Sequence, residues 1–184
     1  MSTQHCSGPG NVDQALDELG RLLRREHSGG DALQKVADAA KQVLPGSPET
    51  SVSVVFQGFP TTVVTTDSLA SDCDESQYAH GDGPCMHAAR SGQLTEVADV
   101  RTETRWRDYG REAAARGALS SLSVPLPIRQ QGVCAALNVY ARRPNAFDER
   151  CRSVAVRFAP HAATAVTTMQ AFEEAQQVAE TWPI

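Results

Sequence analysis

Residues 74–92, DESQYAHGDGPCMHAARSG, decide how the rest of the chain is read. They form a turn-rich lead-in that stops abruptly and starts a short helix. Gly81 and Gly83 supply backbone freedom, Pro84 suits the first helical position, and Gly92 suits the position just past the helix end. Cys85, Ala88 and Ala89 put small side chains on one face, so this helix can sit close to a sheet. Set between strands, its start exposes backbone N–H groups beside Gln77, Tyr78 and His80, as in one wall of a pocket.

On either side of this stretch the hydrophobic period is two. Val52, Val54 and Phe56 alternate with Ser51, Ser53 and Gln57, and Gly58-Phe59-Pro60 turns the chain into residues 61–66, which predicts a hairpin. Residues 94–98 read as a short strand and residues 105–116 as a helix ended by Gly117. Residues 119–127 and 133–141 form a second hairpin around residues 129–132. The chain ends are helical instead. Asn11 can cap a helix whose Val12, Leu16, Leu19 and Leu23 make a narrow apolar seam to about His27. Asp31 can cap a second helix with a broader face of Leu33, Val36, Ala37, Ala40 and Leu44. Asp148 can cap a last helix running towards Trp182, with Ala155, Phe158, Ala159, Ala162, Val166, Met169 and Phe172 at helical spacing. Pro160 interrupts it, which predicts a kink or two helices joined at Ala159. The pattern as a whole is α+β.

Composition narrows the function classes. A chain of 184 residues, 41% hydrophobic, supports one core. Its net charge of −5 offers no basic stripe to replace counterions on phosphates, so direct nucleic-acid or anionic-membrane binding is not expected. No apolar run approaches a bilayer span, and the first residues lack a signal-peptide core, so a cytoplasmic protein is expected. The five cysteines form no C-x-x-C pair, which suits a reducing compartment.

The pattern D-x-x-Q-Y-x-x-G-x-G-P-C-x-x-A from Asp74 to Ala88 is followed by Asp99, Trp106, GALSSLSVPL from Gly117 and GVCAALNVY from Gly132. In this order and spacing the chain resembles the GAF sensor domain of bacterial ANTAR-type antitermination regulators. The resemblance covers roughly residues 28–172. It implies a central antiparallel sheet of five or six strands, with terminal helices on one face and pocket-forming helices on the other. Residues 1–27 are then a leader and N-terminal dimerisation helix, and residues 173–184 a helical tail. In that family the terminal helices lead into an RNA-binding ANTAR domain. Here the chain stops at Ile184, so RNA binding is not carried over.

The candidate ligand-binding residues are Gln77, Tyr78, Gly81, Gly83, Cys85, Trp106, Ser121, Ser123, Asn138 and Tyr140. Gln77 and Tyr78 either read a small polar ligand or lock the loop to the sheet. Ser121, Ser123, Asn138 and Tyr140 recur at period two, so they can face one pocket from two central strands; the alternative is a solvent face. Trp106 and Tyr109 close that pocket or anchor their helix. Cys73, His80, Cys85 and His87 match no structural zinc spacing, which favours packing; neither metal nor cofactor is expected. Cys85 at a helix start is placed for a lowered thiol pKa, and with Cys73 near in sequence this leaves a redox sensor or a free methionine sulfoxide reductase-like enzyme as the alternative. The cyclic-nucleotide signature of other GAF domains is broken, because Val139 follows Asn138 where a lysine is needed.

These readings converge on a non-enzymatic sensor that binds an unknown small molecule or a partner, and that either signals to a separate output protein or keeps only its dimerisation and ligand functions. The seam from Val12 to Leu23 lies outside the globular pattern, and the apolar spacing after Pro160 runs on beyond one sheet face. Together they predict a homodimer built on the terminal helices.

Overall fold

The computed structural model describes residues 9–26 and 28–181, with backbone only for parts of both ends. Its elements are α1 (Pro9–Leu23), α2 (Gly29–Val43), β1 (Glu49–Phe56), β2 (Phe59–Thr65), α3 (Ser68–His80), α4 (Pro84–Ser91), β3 (Thr95–Val97), α5 (Arg107–Arg116), β4 (Ser120–Pro125), β5 (Val133–Ala141) and α6 (Glu149–Thr181). Five strands make one antiparallel sheet in the order β2-β1-β5-β4-β3. This is the expected GAF architecture.

Strand alternation assigns the two faces different chemistry. Val52 and Val54, Leu137 and Val139, and Leu122 and Val124 point into a core shared with α1, α2 and α6. The alternate residues, Ser51 and Ser53, Asn138 and Tyr140, and Ser121 and Ser123, point to the other face, under α3, α4 and α5. Register aligns them in rows: Ser51 and Ser123 flank Asn138, and Ser121 sits beside Tyr140.

Several boundaries differ from the sequence reading. The first hairpin turns at Gln57 and Gly58, both with positive φ, so Phe59 and Pro60 belong to β2. Helix α1 starts at Pro9, which puts Asn11 inside it. Helix α2 is capped by Ser28, whose hydroxyl accepts from Asp31 N. Asp148 does cap α6, through Cys151 N at 2.7 Å.

The largest correction concerns residues 74–80. They are the second half of α3, a helix begun by Asp67, whose carboxylate accepts from Leu69 N at 2.9 Å. Helix α4 follows as expected, from Pro84 to a left-handed Gly92.

The seam on α1 is not left over for a partner. Val12, Leu16 and Leu19 are buried within this chain, where α1 lies on α2 and α6. Leu23 is partly buried against the same core. Pro160 does not divide the last helix, since α6 runs through it as one element. The carbonyl that loses its N–H partner there belongs to Val156, whose residue is 45% exposed, so water can serve it. The side chain of Phe172 and the residue Trp182 lie outside the described part.

Candidate functional site

The polar face of the sheet carries a buried carboxylate. Asp74 sits on the inner side of α3, and on a helix it shares that side with Gln77 and Tyr78, three and four residues on. Its oxygens accept from Ser51 Oγ at 2.6 Å, Thr62 Oγ1 at 2.8 Å and Asn138 Nδ2 at 3.3 Å, and from the Tyr140 hydroxyl in a short contact. Three strands and one helix therefore meet on one side chain.

Gln77 ties the next helix to this hub. Its Nε2 donates to Cys73 O and to the Tyr140 hydroxyl, both at 3.1 Å, and its Oε1 accepts from Cys85 N at 2.8 Å. A side chain of α3 thus satisfies one of the N–H groups that open α4, which is the locking role that the sequence left open for Gln77 beside ligand binding. Gly83 makes room for it. A Cβ there would lie 2.4 Å from Gln77 Cγ and Oε1.

Tyr78 closes the outer edge. Its hydroxyl donates to Ser53 Oγ at 2.6 Å and lies 2.9 Å from Thr62 Oγ1. Asn138 Nδ2 also reaches Ser53 Oγ at 2.9 Å and Ser51 Oγ at 3.3 Å. Next to Tyr140, Tyr109 on α5 donates to Ser121 Oγ at 3.1 Å. Two buried side-chain atoms of the same face stay unpartnered, Asn138 Oδ1 and Ser123 Oγ.

Burial governs the titration here. Loss of hydration raises Asp74 to about 6, although hydrogen bonds from Ser51, Tyr140 and Thr62 pull the other way. The expected activation of Cys85 is reversed. Desolvation first, and the Asp74 charge second, push its thiol well above the ordinary range, which outweighs the helix start. Cys73 is pushed up to about 12 for the same leading reason.

The family model of the GAF domain matches residues 26–167. The chain belongs to the GAF domain family. Solved structures that share the GAF architecture include the GAF domain of a phosphoenolpyruvate-protein phosphotransferase from Coxiella burnetii, at 15% identity over 91% of this chain and 99% of that one, with a TM-score of 0.66. The N-acylhomoserine lactone dependent LuxR family transcription factor CepR2 from Burkholderia cenocepacia matches at 14% identity over 88% and 99%, with a TM-score of 0.71. The free methionine-R-sulfoxide reductase from Neisseria meningitidis, solved with its substrate, matches at 16% identity over 92% and 98%, with a TM-score of 0.66. At such identities the likeness concerns the fold. No curated protein matches the chain in sequence.

Eight of the ten candidate residues meet on the polar face of this GAF domain: Gln77, Tyr78, Gly83, Cys85, Ser121, Ser123, Asn138 and Tyr140. They do so as a closed cluster rather than an open concavity, since Gln77 and Asn138 are 0% exposed and Ser121 and Tyr140 are 1% exposed. Gly81 is exposed at the end of α3. Trp106 is half-buried at the start of α5, 5.6 Å from the ring of His87 on α4 and under the Arg105 guanidinium at 4.5 Å. Cys73 and Cys85 are buried while His80 and His87 are exposed, and among the described residues no cluster has metal-holding composition and geometry. Sequence reasoning passed over Ser51, Ser53 and Thr62, and above all the carboxylate they surround, Asp74. Its spacing from Gln77 and Tyr78 would have found it, had the segment been read as helix.

Proposed function

We propose that this GAF domain is a non-enzymatic sensor module of bacterial signal transduction, whose ligand site is the polar cluster around Asp74. The observation that carries the reading is the pair of buried, unpartnered atoms, Asn138 Oδ1 and Ser123 Oγ, beside a buried carboxylate. Each unpaired buried group costs about 1–3 kcal/mol, and the opposite face already supplies the apolar core. A ligand that pairs with them recovers that energy without new desolvation of the protein.

The same strands connect the site to the terminal helices. Ser51 and Asn138 belong to the cluster, while their neighbours Val52, Leu137 and Val139 pack in the core shared with α2 and α6. A shift of β1 or β5 on ligand binding thus reaches the helices on the other face. Helix pairing between two copies then uses surface that α1 and α6 leave open, where Leu22 and Val156 are 40% and 45% exposed. Kinship with GAF-ANTAR antitermination regulators belongs to the same proposal and rests on the D-x-x-Q-Y-x-x-G-x-G-P-C pattern.

The thiol-dependent alternative needs a thiolate, and burial opposes one at both Cys73 and Cys85. Native mass spectrometry of freshly purified protein tests the sensor reading. An added mass released on unfolding, and lost in Asn138→Ala, is expected. No adduct, together with no thermal shift across a metabolite panel, would overturn it.

A further inference from the structure

We infer that the cluster is built to hold a small ligand carrying a protonated amine, with Asp74 as its counter-ion; this rests on the sensor reading above. The first argument is charge. Every group that hydrogen-bonds Asp74 is a neutral hydroxyl or amide, and among the described residues no lysine, arginine or histidine forms an ion pair with it. An anion taken out of water with no cation beside it is expensive, which the rise of its pKa to about 6 reflects.

The second argument is the kind of hydrogen bond left unmade. Asn138 Oδ1 can only accept, and Ser123 Oγ has both its lone pairs and its O–H free, so that it can accept from an amine. Unused acceptors beside a buried negative charge complement a group with several N–H donors and a positive charge. A carboxylate or phosphate ligand would instead meet Asp74 with no cation to offset the repulsion.

Access is set by burial. Thr62 and Tyr78 are the members of the cluster that reach solvent, and their hydroxyls lie 2.9 Å apart where β2 packs against α3. The remaining hydrogen-bonding partners of Asp74 are 0–1% exposed. An amine therefore passes the Tyr78 hydroxyl to reach the carboxylate.

Saturation-transfer NMR on the full chain at pH 7.5, with propylamine, propanoate and propan-1-ol as probes of matched length, tests this. Saturable binding of propylamine alone is expected. Asp74→Asn should weaken it about tenfold or more, the loss of a charge-assisted hydrogen bond. Ser123→Ala should weaken it by a few-fold, with circular dichroism unchanged. Propanoate binding as tightly as propylamine, propylamine binding unaltered by Asp74→Asn, or no saturable probe overturns the inference. Should Asp74→Asn not fold, the three probes on the wild type decide. A neutral or anionic adduct in native mass spectrometry sinks the amine while leaving the sensor reading standing; no adduct and no probe binding remove both.

Discussion

The two faces of one sheet are built from the same strands and held by opposite means. On one, Val52, Val54, Leu122, Val124, Leu137 and Val139 are 0–6% exposed and exchange only dispersion and hydrophobic contact with α1, α2 and α6. On the other, serines, an asparagine, tyrosines and an aspartate are as deeply buried but meet through directed hydrogen bonds. A single-residue alternation separates them. The difference teaches where stability and specificity are held: an apolar face tolerates small shifts, whereas a polar face loses stability with each partner out of place.

The apolar face should show the largest effect when broken. Phe158 on α6 is 0% exposed at its centre, so Phe158→Ala should cost about 3–5 kcal/mol in urea unfolding. A loss below about 1 kcal/mol would mean that α6 does not hold this face.

The polar face should answer to pH where the apolar one cannot. Asp74 has a folded pKa of about 6 against an ordinary 3.8, so the folded state binds its proton more tightly than the unfolded chain does. The stability it contributes is full below about pH 4, falls as pH rises through 6, and is flat above, a swing on the order of 3 kcal/mol. Asp67, Asp99, Glu103 and Asp148 are shifted down and act oppositely, losing stability as pH falls below the ordinary carboxylate range. The difference between wild type and Asp74→Asn cancels them. That difference should change between pH 4 and 6; a constant one would show that Asp74 is not desolvated.

How much of this contrast could be read in the chain follows from the same physics. The strands were legible because alternation of Val with Ser leaves a period of two whichever face is apolar. Helix α3 was not, because its buried side holds Asp74, Ser76 and Gln77 with only Leu69, Ala70 and Cys73, and an inward polar side erases the apolar period. The α1 seam was legible as a helix but not in its destination, since a stripe of Val12, Leu16 and Leu19 looks the same whether it meets its own chain or a copy. Pro160 misled in the other direction: one missing hydrogen bond on a solvated face is cheap enough for a helix to continue.

Gly83→Ala sharpens the comparison at the helix start. The new methyl must displace Gln77, which holds Cys85 N and the Tyr140 hydroxyl, so a loss of about 2 kcal/mol is expected. In a Gln77→Ala background the same substitution should cost little, because the group it strikes is gone. Equal costs in both backgrounds would place the strain in the backbone instead.

The smallest effect separates two serines that the sequence cannot tell apart. Ser51 and Ser123 flank Asn138 on neighbouring strands, and both are buried to within 1%. Ser51 donates to Asp74 at 2.6 Å, so Ser51→Ala leaves the carboxylate short of a donor and should cost about 1–2 kcal/mol. Ser123 Oγ has no partner, so Ser123→Ala removes an unmet desolvation penalty and should be neutral or stabilise by up to about 1 kcal/mol. Paired urea titrations of the unliganded protein measure both. The opposite order, with Ser123→Ala the more damaging, would show that this hydroxyl is already engaged, and the acceptor-rich site beside Asn138 would no longer be open for a ligand.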